Sequence, residues 1–345
     1  MGVTIKDVAR EAQVSVASVS RALNGHGGVT AETLERIREV ASRLRYIPHG
    51  AARSLITRRT HTIGALLPDL YGEFFSELIR GIDLAARTHG LQLLVSSSHD
   101  GAAEAAAALR AMQGRVDGLL VMSPHADAAF LRQNLPVGLP TVLMNTELER
   151  DDYPALSVDN AGGARMVVEH LIDAGYRRVA FIQGPAGNHD VAERERAYRE
   201  VLAERLPGAE PVVQPGEFDE ASGYRAGQRL AAMQPRPDAV FAANDMMAIG
   251  CMAAIREAGL RIPEDIAVAG FDDVPMARYV SPALTTAGVR IAELGKAALE
   301  QLAVQLDGSA TDVPRAHVRI PAELVVRASS ARTKGNDTEK PATRD

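Results

Sequence analysis

Two sets of residues in this 345-residue chain have the types and spacing to do chemistry. The first is SVASVSRALNG, Ser15 to Gly25. Serine is a mediocre helix-interior residue because its hydroxyl competes for nearby backbone groups. A helix carrying Ser15, Ser18 and Ser20 therefore points to a partner outside it that uses those hydroxyls. Hydroxyls and the free N–H groups of a helix start hold phosphate oxygens, small side chains let the backbone come close, and Arg21 can grip a guanine edge with two hydrogen bonds. An ordinary small-residue helix packed in a bundle would also fit this stretch. The second set is polar or turn residues closing short apolar runs: Asp69, Asn145, Gln183–Gly184, Asn244–Asp245 and Asp272–Asp273. If those runs are strands of open parallel sheets, these residues face a ligand crevice beyond the strands' carboxyl ends.

The first set needs a small helical unit to hold it. Thr4 with Asp7 predicts a capping-box start for a helix through about Ala12. Ser15 caps a second helix closed by Gly25, and Thr30 a third whose Leu34, Ile37, Ala41 and Leu44 recur at helical spacing up to Tyr46, with Pro48 beyond. Helix, tight turn and helix within about 20 residues describe a helix-turn-helix whose second helix enters the major groove at Ser15, Val16, Ala17 and Ser18. Charge agrees. Residues 1–60 carry ten Lys or Arg against five Asp or Glu, while the remainder is net −11, so a polyanion is expected to bind the head only. AARSLITRRT, Ala51 to Thr60, has too few apolar residues for a core and reads as a hinge.

The second set needs parallel sheets. From Thr62 onward TIGALLPD, LQLLVSSS, DGLLVMSP, PTVLMN, RVAFIQGP, AVFAAND and IAVAGFDD alternate with helical segments such as Phe74–His89, Ala161–Ala174, Ala192–Arg205 and Met246–Ala258. That alternation predicts two Rossmann-like lobes with a cleft between them. The expected domains are a helix-turn-helix head over 1–48, a hinge helix or linker over 49–61 and a two-lobed body over 62–328. A polar, unpatterned and therefore disordered tail is expected over 329–345.

Composition excludes several classes. Apolar content of 46% and charged content of 24% describe an ordinary soluble protein, and no apolar run reaches the roughly 18–20 residues of a membrane helix. MGVTIKDVAR shows no apolar h-region, and the single cysteine, Cys251, excludes an internal disulfide; both lead to an expected cytoplasmic location. No GxGxxG or GxxxxGK[ST] follows a strand, no GxSxG is present, and GHGG at Gly25 to Gly28 is too short for a phosphate loop. His125 and Asp127 lack a third ligand nearby. Neither an enzyme, a cofactor nor a metal is expected.

VTIKDVAREAQVSVASVSRALNG resembles the DNA-binding head of the lac repressor (LacI/GalR) family of bacterial transcription regulators. The resemblance continues through YIPHGAARSL, FFSELIRGI, SVDNAGGARMVVEHL, FAANDMMAIG and GLRIPEDIAVAGFDD, and covers about residues 3 to 326. It implies a small all-α head on an α/β body like that of periplasmic binding proteins. It also implies a homodimer reading a pseudo-palindromic operator, and a hinge helix whose Leu55 wedges into the minor groove and bends the DNA. The DNA-contacting residues it implies are Thr4, Ser15, Val16, Ala17, Ser18, Ser20, Arg21, Asn24, Thr30, Tyr46, Ala52 and Leu55.

In this family the cleft binds an effector, usually a sugar or nucleoside. The positions implied here are Phe74, Asn145, Asp190, Arg194, Phe218, Asn244 and Asp272, whose carboxylates, amides, guanidinium and flat rings suit a polyol. The expected function is repression of carbohydrate-use genes relieved by a small sugar. A corepressor, a phosphoprotein partner or a pure solute-binding role are the alternatives. Three residues depart from the family pattern: Gln13 where a turn glycine is common, Ala197 before Tyr198, and Val289 in place of a glutamine near the effector. The tail lacks leucine heptads, so a dimer is expected rather than a tetramer.

Overall fold

The structure, a computed structural model, describes residues 3–23, 28–46, 59–99, 101–123, 128–136, 138–146, 153–308 and 317–331. The chain divides into two compact units, Met1–His61 and Thr62–Asp345.

The first unit holds helices α1 (Ile5–Glu11), α2 (Val16–Leu23) and α3 (Ala31–Arg43). Each begins at a residue whose side chain satisfies otherwise orphaned backbone donors. Asp7 accepts from the Thr4 N–H at 3.0 Å and from Thr4 Oγ1 at 2.7 Å, while Ser15 and Thr30 hydroxyls accept from Ser18 N at 3.0 Å and Thr33 N at 3.3 Å. Val8, Ala12, Val19, Ala22, Ile37 and Val40 close the core, one apolar stripe per helix. Between α1 and α2 the backbone turns at Gln13 with φ 54°, the left-handed conformation that glycine adopts without strain. The expected Gly25 stop and most of the expected hinge lie outside the described residues.

The second unit is built from two six-stranded sheets. Strands β1 (Thr62–Leu67), β2 (Gln92–Ser97), β3 (Gly118–Met122), β4 (Thr141–Met144) and β5 (Ala155–Val158) form the first lobe with β11 (His317–Ile320), in the order β11-β5-β4-β3-β1-β2. Strands β6 (Val179–Ile182), β7 (Val212–Gln214), β8 (Ala239–Ala242), β9 (Ala267–Asp272) and β10 (Thr285–Gly288) form the second with β12 (Glu323–Val325), in the order β12-β10-β9-β8-β6-β7. All pairings are parallel except β10 with β12. The central strands are buried along nearly their whole length, which is why they read as continuous apolar runs.

Around the first sheet lie α4 (Glu73–Thr88), α5 (Ala102–Met112) and α6 (Ala128–Asn134); α7 (Asn160–Asp173), α8 (His189–Arg205), α9 (Glu220–Ala232) and α10 (Asp245–Glu257) belong to the second. The chain crosses back after β10 to place α11 (Ile291–Leu306) against α4. There Gly81 is required by close approach, since a Cβ would sit 2.1 Å from the Ala292 carbonyl oxygen. Helix α8 starts three residues before the expected Ala192, because the Asn188 side chain accepts from Val191 N at 3.1 Å and caps it.

The expected tail boundary at 329 is corrected by the structure. Ser329 and Ser330 are fully buried. Ser329 Oγ donates to the Val268 carbonyl at 2.6 Å and accepts from Thr285 N at 2.8 Å, while Ser330 Oγ pairs with Thr285 Oγ1 at 2.7 Å. Polar composition suggested a solvated tail. Here the hydroxyls instead satisfy strand-end backbone groups, so the body runs through Ser330.

Replacing Gln13 with glycine should stabilise the head by about 0.5–1 kcal/mol, the left-handed strain relieved less the added glycine entropy. Hydrogen exchange of α1 and α2 amides in the full chain measures this. Unchanged or reduced protection in Gln13→Gly would show that the turn carries no strain.

Candidate functional site

A cavity of about 340 Å³ opens between the carboxyl ends of the two sheets. Phe74, Asn145, Asp190, Arg194, Phe218, Asn244 and Asp272 all line it. Phe74 comes from the first turn of α4 and Asn145 from the end of β4; the other five belong to the second lobe.

Arg194 organises the deep wall. It is 5% exposed, on the inner face of α8, one turn after Asp190. Its Nε donates to Asn160 Oδ1 at 2.8 Å, Nη1 donates to the Ala243 carbonyl, and Nη2 lies 4.0 Å from Asp272 Oδ1. The guanidinium carbon stands 3.7 Å over the Phe271 ring centroid, a cation–π contact in a desolvated place. Asn160 completes the circuit by donating from Nδ2 to Asp190 Oδ1 at 2.9 Å.

The carboxyl groups here hold their protons unusually well. Burial pushes Asp272 up to about 7; Arg194 opposes the shift and Asp190 adds to it. Burial also raises Asp190, against the pull of Arg194. A carboxyl that keeps its proton can donate to a hydroxyl as well as accept from one. One fixed cation, the Asp272 carboxyl, the Asp190 carboxyl and an amide therefore offer both donors and acceptors to a polyhydroxylated ligand.

Local backbone strain marks the same place. Asn145, Phe218 and Asp272 have φ of 46°, 63° and 116°. Held left-handed conformations in non-glycine residues cost roughly 1–3 kcal/mol each and concentrate at functional sites. Gly184 makes Phe218's position possible, since a Cβ there would meet the ring at 2.7 Å.

Not every strand-end residue faces the cavity. Asp69 lines it while its carboxylate accepts from the Leu70 and Tyr71 N–H groups. Asp245 is fully buried behind it, accepting from Thr286 Oγ1 at 2.6 Å and Val274 N at 2.9 Å. Asp273 pairs with Arg327 at 2.6 Å in a different depression. Neither Gln183 nor Gly184 is among the lining residues. Asn244 spends its side chain on Met247 N, as the α10 cap, and on the Phe218 carbonyl, so it shapes the wall. Val289, the departure from the family pattern, is fully buried and outside the cavity lining.

Sequence reasoning missed Tyr71, Asn188 and Glu220 in the lining, and Asn160 behind it. Asn160 starts a helix directly after β5, and that placement was the available signal. His125 and Asp127 lie outside the described residues. Among the described residues no cluster of three or more His, Cys, Asp or Glu could hold a metal ion.

A second candidate surface lies on the head. The first turn of α2 is exposed at Ser15, Val16 and Ala17, and Arg21 is exposed one turn on, whereas Val19 and Ala22 point into the core. Val16, an apolar residue, is left 41% exposed among the described residues. Ser18 and Ser20 are half-buried, Thr4 and Thr30 exposed, and Tyr46 packs partly against the head core. Asn24, Ala52 and Leu55 lie outside the described residues.

Comparison with known proteins covers both units. The family described as bacterial regulatory proteins, lacI family, matches residues 4–49, and a periplasmic binding protein-like domain matches residues 168–330. The chain is 31% identical to catabolite control protein A of Priestia megaterium over 96% of its own length and all of that protein's. It is 37% identical to the transcriptional repressor PurR of Erwinia tasmaniensis, covering 87% of this chain and 89% of that one. Among solved structures, the lac repressor dimer bound to operator and an anti-inducer superposes with a TM-score of 0.85 at 26% identity, over 96% of this chain and all of that one. The CelR–cellobiose complex matches with a TM-score of 0.70 at 29% identity, over 95% and 99%.

The raised Asp272 sets a pH dependence. An unfolded Asp ionises near 3.8, whereas folded Asp272 keeps its proton up to about 7, so the folded state binds more protons between those values. Its contribution to stability is therefore lost as pH rises through that window. Asp272→Asn should flatten the decline in melting temperature between pH 4.5 and 7.5 and melt higher than the wild type at the upper end. Scanning calorimetry of the full chain checks it; parallel curves would remove Asp272 as the cause.

Proposed function

The chain belongs to the lacI family of bacterial regulatory proteins, and from that premise we propose that it is a cytoplasmic, dimeric repressor released from its operator by a sugar-type effector, with no enzymatic reaction of its own. The observation that carries the effector half is the cavity lined from both lobes around Arg194. A ligand spanning two lobes binds their arrangements unequally, and differential affinity is all that a ligand can use to shift a conformational equilibrium. A 100-fold loss of operator affinity needs about 2.7 kcal/mol of such coupling, within reach of a few good hydrogen bonds to a charged, buried group.

The head supports the DNA half. Its exposed α2 start offers N–H groups and hydroxyls to phosphates, and the exposure of Arg21 one turn on supports reading it as the base-edge contact. The match to the lac repressor dimer bound to operator supports the dimeric arrangement. No helix among the described residues is long and apolar enough to cross a membrane, which fits a soluble regulator.

Two substitutions test the halves separately. Arg21→Ala should weaken binding to a pseudo-palindrome of roughly 14–20 bp by about 1–3 kcal/mol and relax the preference at one base per half-site, as read by anisotropy across a base-substitution series. An unchanged preference would mean another side chain reads that base. Arg194→Lys keeps the charge but loses the fork that holds Asn160, Ala243 and Asp272. We expect it to bind operator while needing at least ~100-fold more effector for release. Release at the wild-type sugar concentration would separate Arg194 from effector sensing.

A further inference from the structure

We propose that the effector is a neutral disaccharide, whose outer ring is held by Tyr71 and Glu220 at the mouth of the cleft. This rests on the reading of the cleft as a sugar site and specifies what that site takes. Size is the first argument. At the crystal-like density of packed interiors a hexose takes up roughly 190 Å³ and a disaccharide roughly 360 Å³. A cavity of about 340 Å³ that opens to solvent leaves room beyond a single ring.

The lining divides into two levels of different chemistry. The deep level holds the buried Arg194, Asp190 and Asp272, with Asn145 completing it from the other lobe. The outer level is Tyr71 facing Glu220 across the mouth, with Glu217 and Asp219 beside it. Tyr71 sits in the loop between β1 and α4, set by the Asp69 carboxylate that accepts its N–H at 3.2 Å. Its hydroxyl donates to Glu220 Oε2 at 3.2 Å, joining a first-lobe loop to the first turn of α9 in the second lobe. A ring that is 63% exposed and a carboxylate at hydrogen-bond distance are the pair that sugar recognition uses: a flat face for C–H groups and an acceptor for hydroxyls. A second ring is what would use this outer pair.

Charge decides which disaccharide. Among the described residues lining the cavity the one guanidinium or ammonium is Arg194, and it is committed at the bottom. Asp69, Glu217, Asp219 and Glu220 surround the opening. A phosphate or carboxylate on the outer ring would meet only like charge there, and like-charge placement is an effective device for rejecting a ligand.

The test is calorimetric titration of the full chain with paired neutral probes: glucose against cellobiose and maltose, galactose against lactose. Glucose 6-phosphate and lactose carrying an outer-ring phosphate serve as the anionic arm. We expect one disaccharide to bind at least 10-fold tighter than its monosaccharide, Tyr71→Ala and Glu220→Gln each to shrink that ratio towards one, and the anionic probes to bind at least 10-fold more weakly than their neutral parents. Equal affinity for the two sizes, or a Tyr71→Ala loss that leaves the ratio unchanged, would overturn the two-ring proposal while the sugar reading stands. Tight binding of the phosphorylated probes would overturn the charge argument. Failure of every sugar, with operator binding intact, would sink the sugar reading itself.

Discussion

The body depends on a guanidinium buried where an arginine is expensive to bury. Arg194 is almost wholly removed from water, and an isolated charge in that position would cost several kcal/mol. Its fork is occupied instead: an amide oxygen, a backbone carbonyl at the end of β8, a carboxyl at the end of β9 and an aromatic face beneath. The partners come from α7, the end of β8 and β9, so the arginine on α8 fixes the relative positions of these elements beside the ligand cavity. Removing it would take the guanidinium away from Asn160 Oδ1, the Ala243 carbonyl and Asp272 in a low-dielectric wall, so the packing of that wall and its recognition chemistry share one cause.

The same wall carries the strain. Asn145, Phe218 and Asp272 keep left-handed backbones although none is glycine. Such conformations persist where surrounding contacts over-determine them. Phe218 is held by the Asn244 amide on its carbonyl and by the space above Gly184. Across the mouth the lobes meet through polar contacts: Tyr71 to Glu220, and the Glu73 carboxylate to the Met276 N–H at 2.8 Å. A ligand bound between them competes with or adds to these contacts, and its differential affinity for the lobe arrangements biases closure.

The head follows different physics. Among the described residues it buries a small core of eight apolar side chains, and its helices begin at caps, which are local and sequence-encoded. Its basic charge stands against an acidic body. Long-range attraction to a polyanion therefore acts on the head alone, while the acidic cleft rim repels anions from the ligand site.

Much of this was legible in the sequence because the relevant physics is local. Caps at Thr4, Ser15 and Thr30, the helical period of Leu34, Ile37 and Ala41, and the buried strand runs each need only neighbouring residues to be read, and motif order supplied the family. Gln13 could be flagged as a possible left-handed position from the turn it occupies. Contacts between distant segments were not legible. Arg194 in AERERAY looks like any solvated helix arginine; only the fold brings Asn160, thirty-four residues earlier, and Asp272, seventy-eight later, around it. Asp245 and Asp273 carry the same strand-end signature as Asn244 and Asp272, yet they turn to Thr286 and Arg327, because which way a strand-end side chain faces is set by its neighbours in the sheet. Ser329 and Ser330 read as tail because hydroxyls favour water until a strand end offers them partners. Sequence determines which residues are able to form a site; tertiary structure decides which of them meet, since burial and pairing are properties of the surroundings.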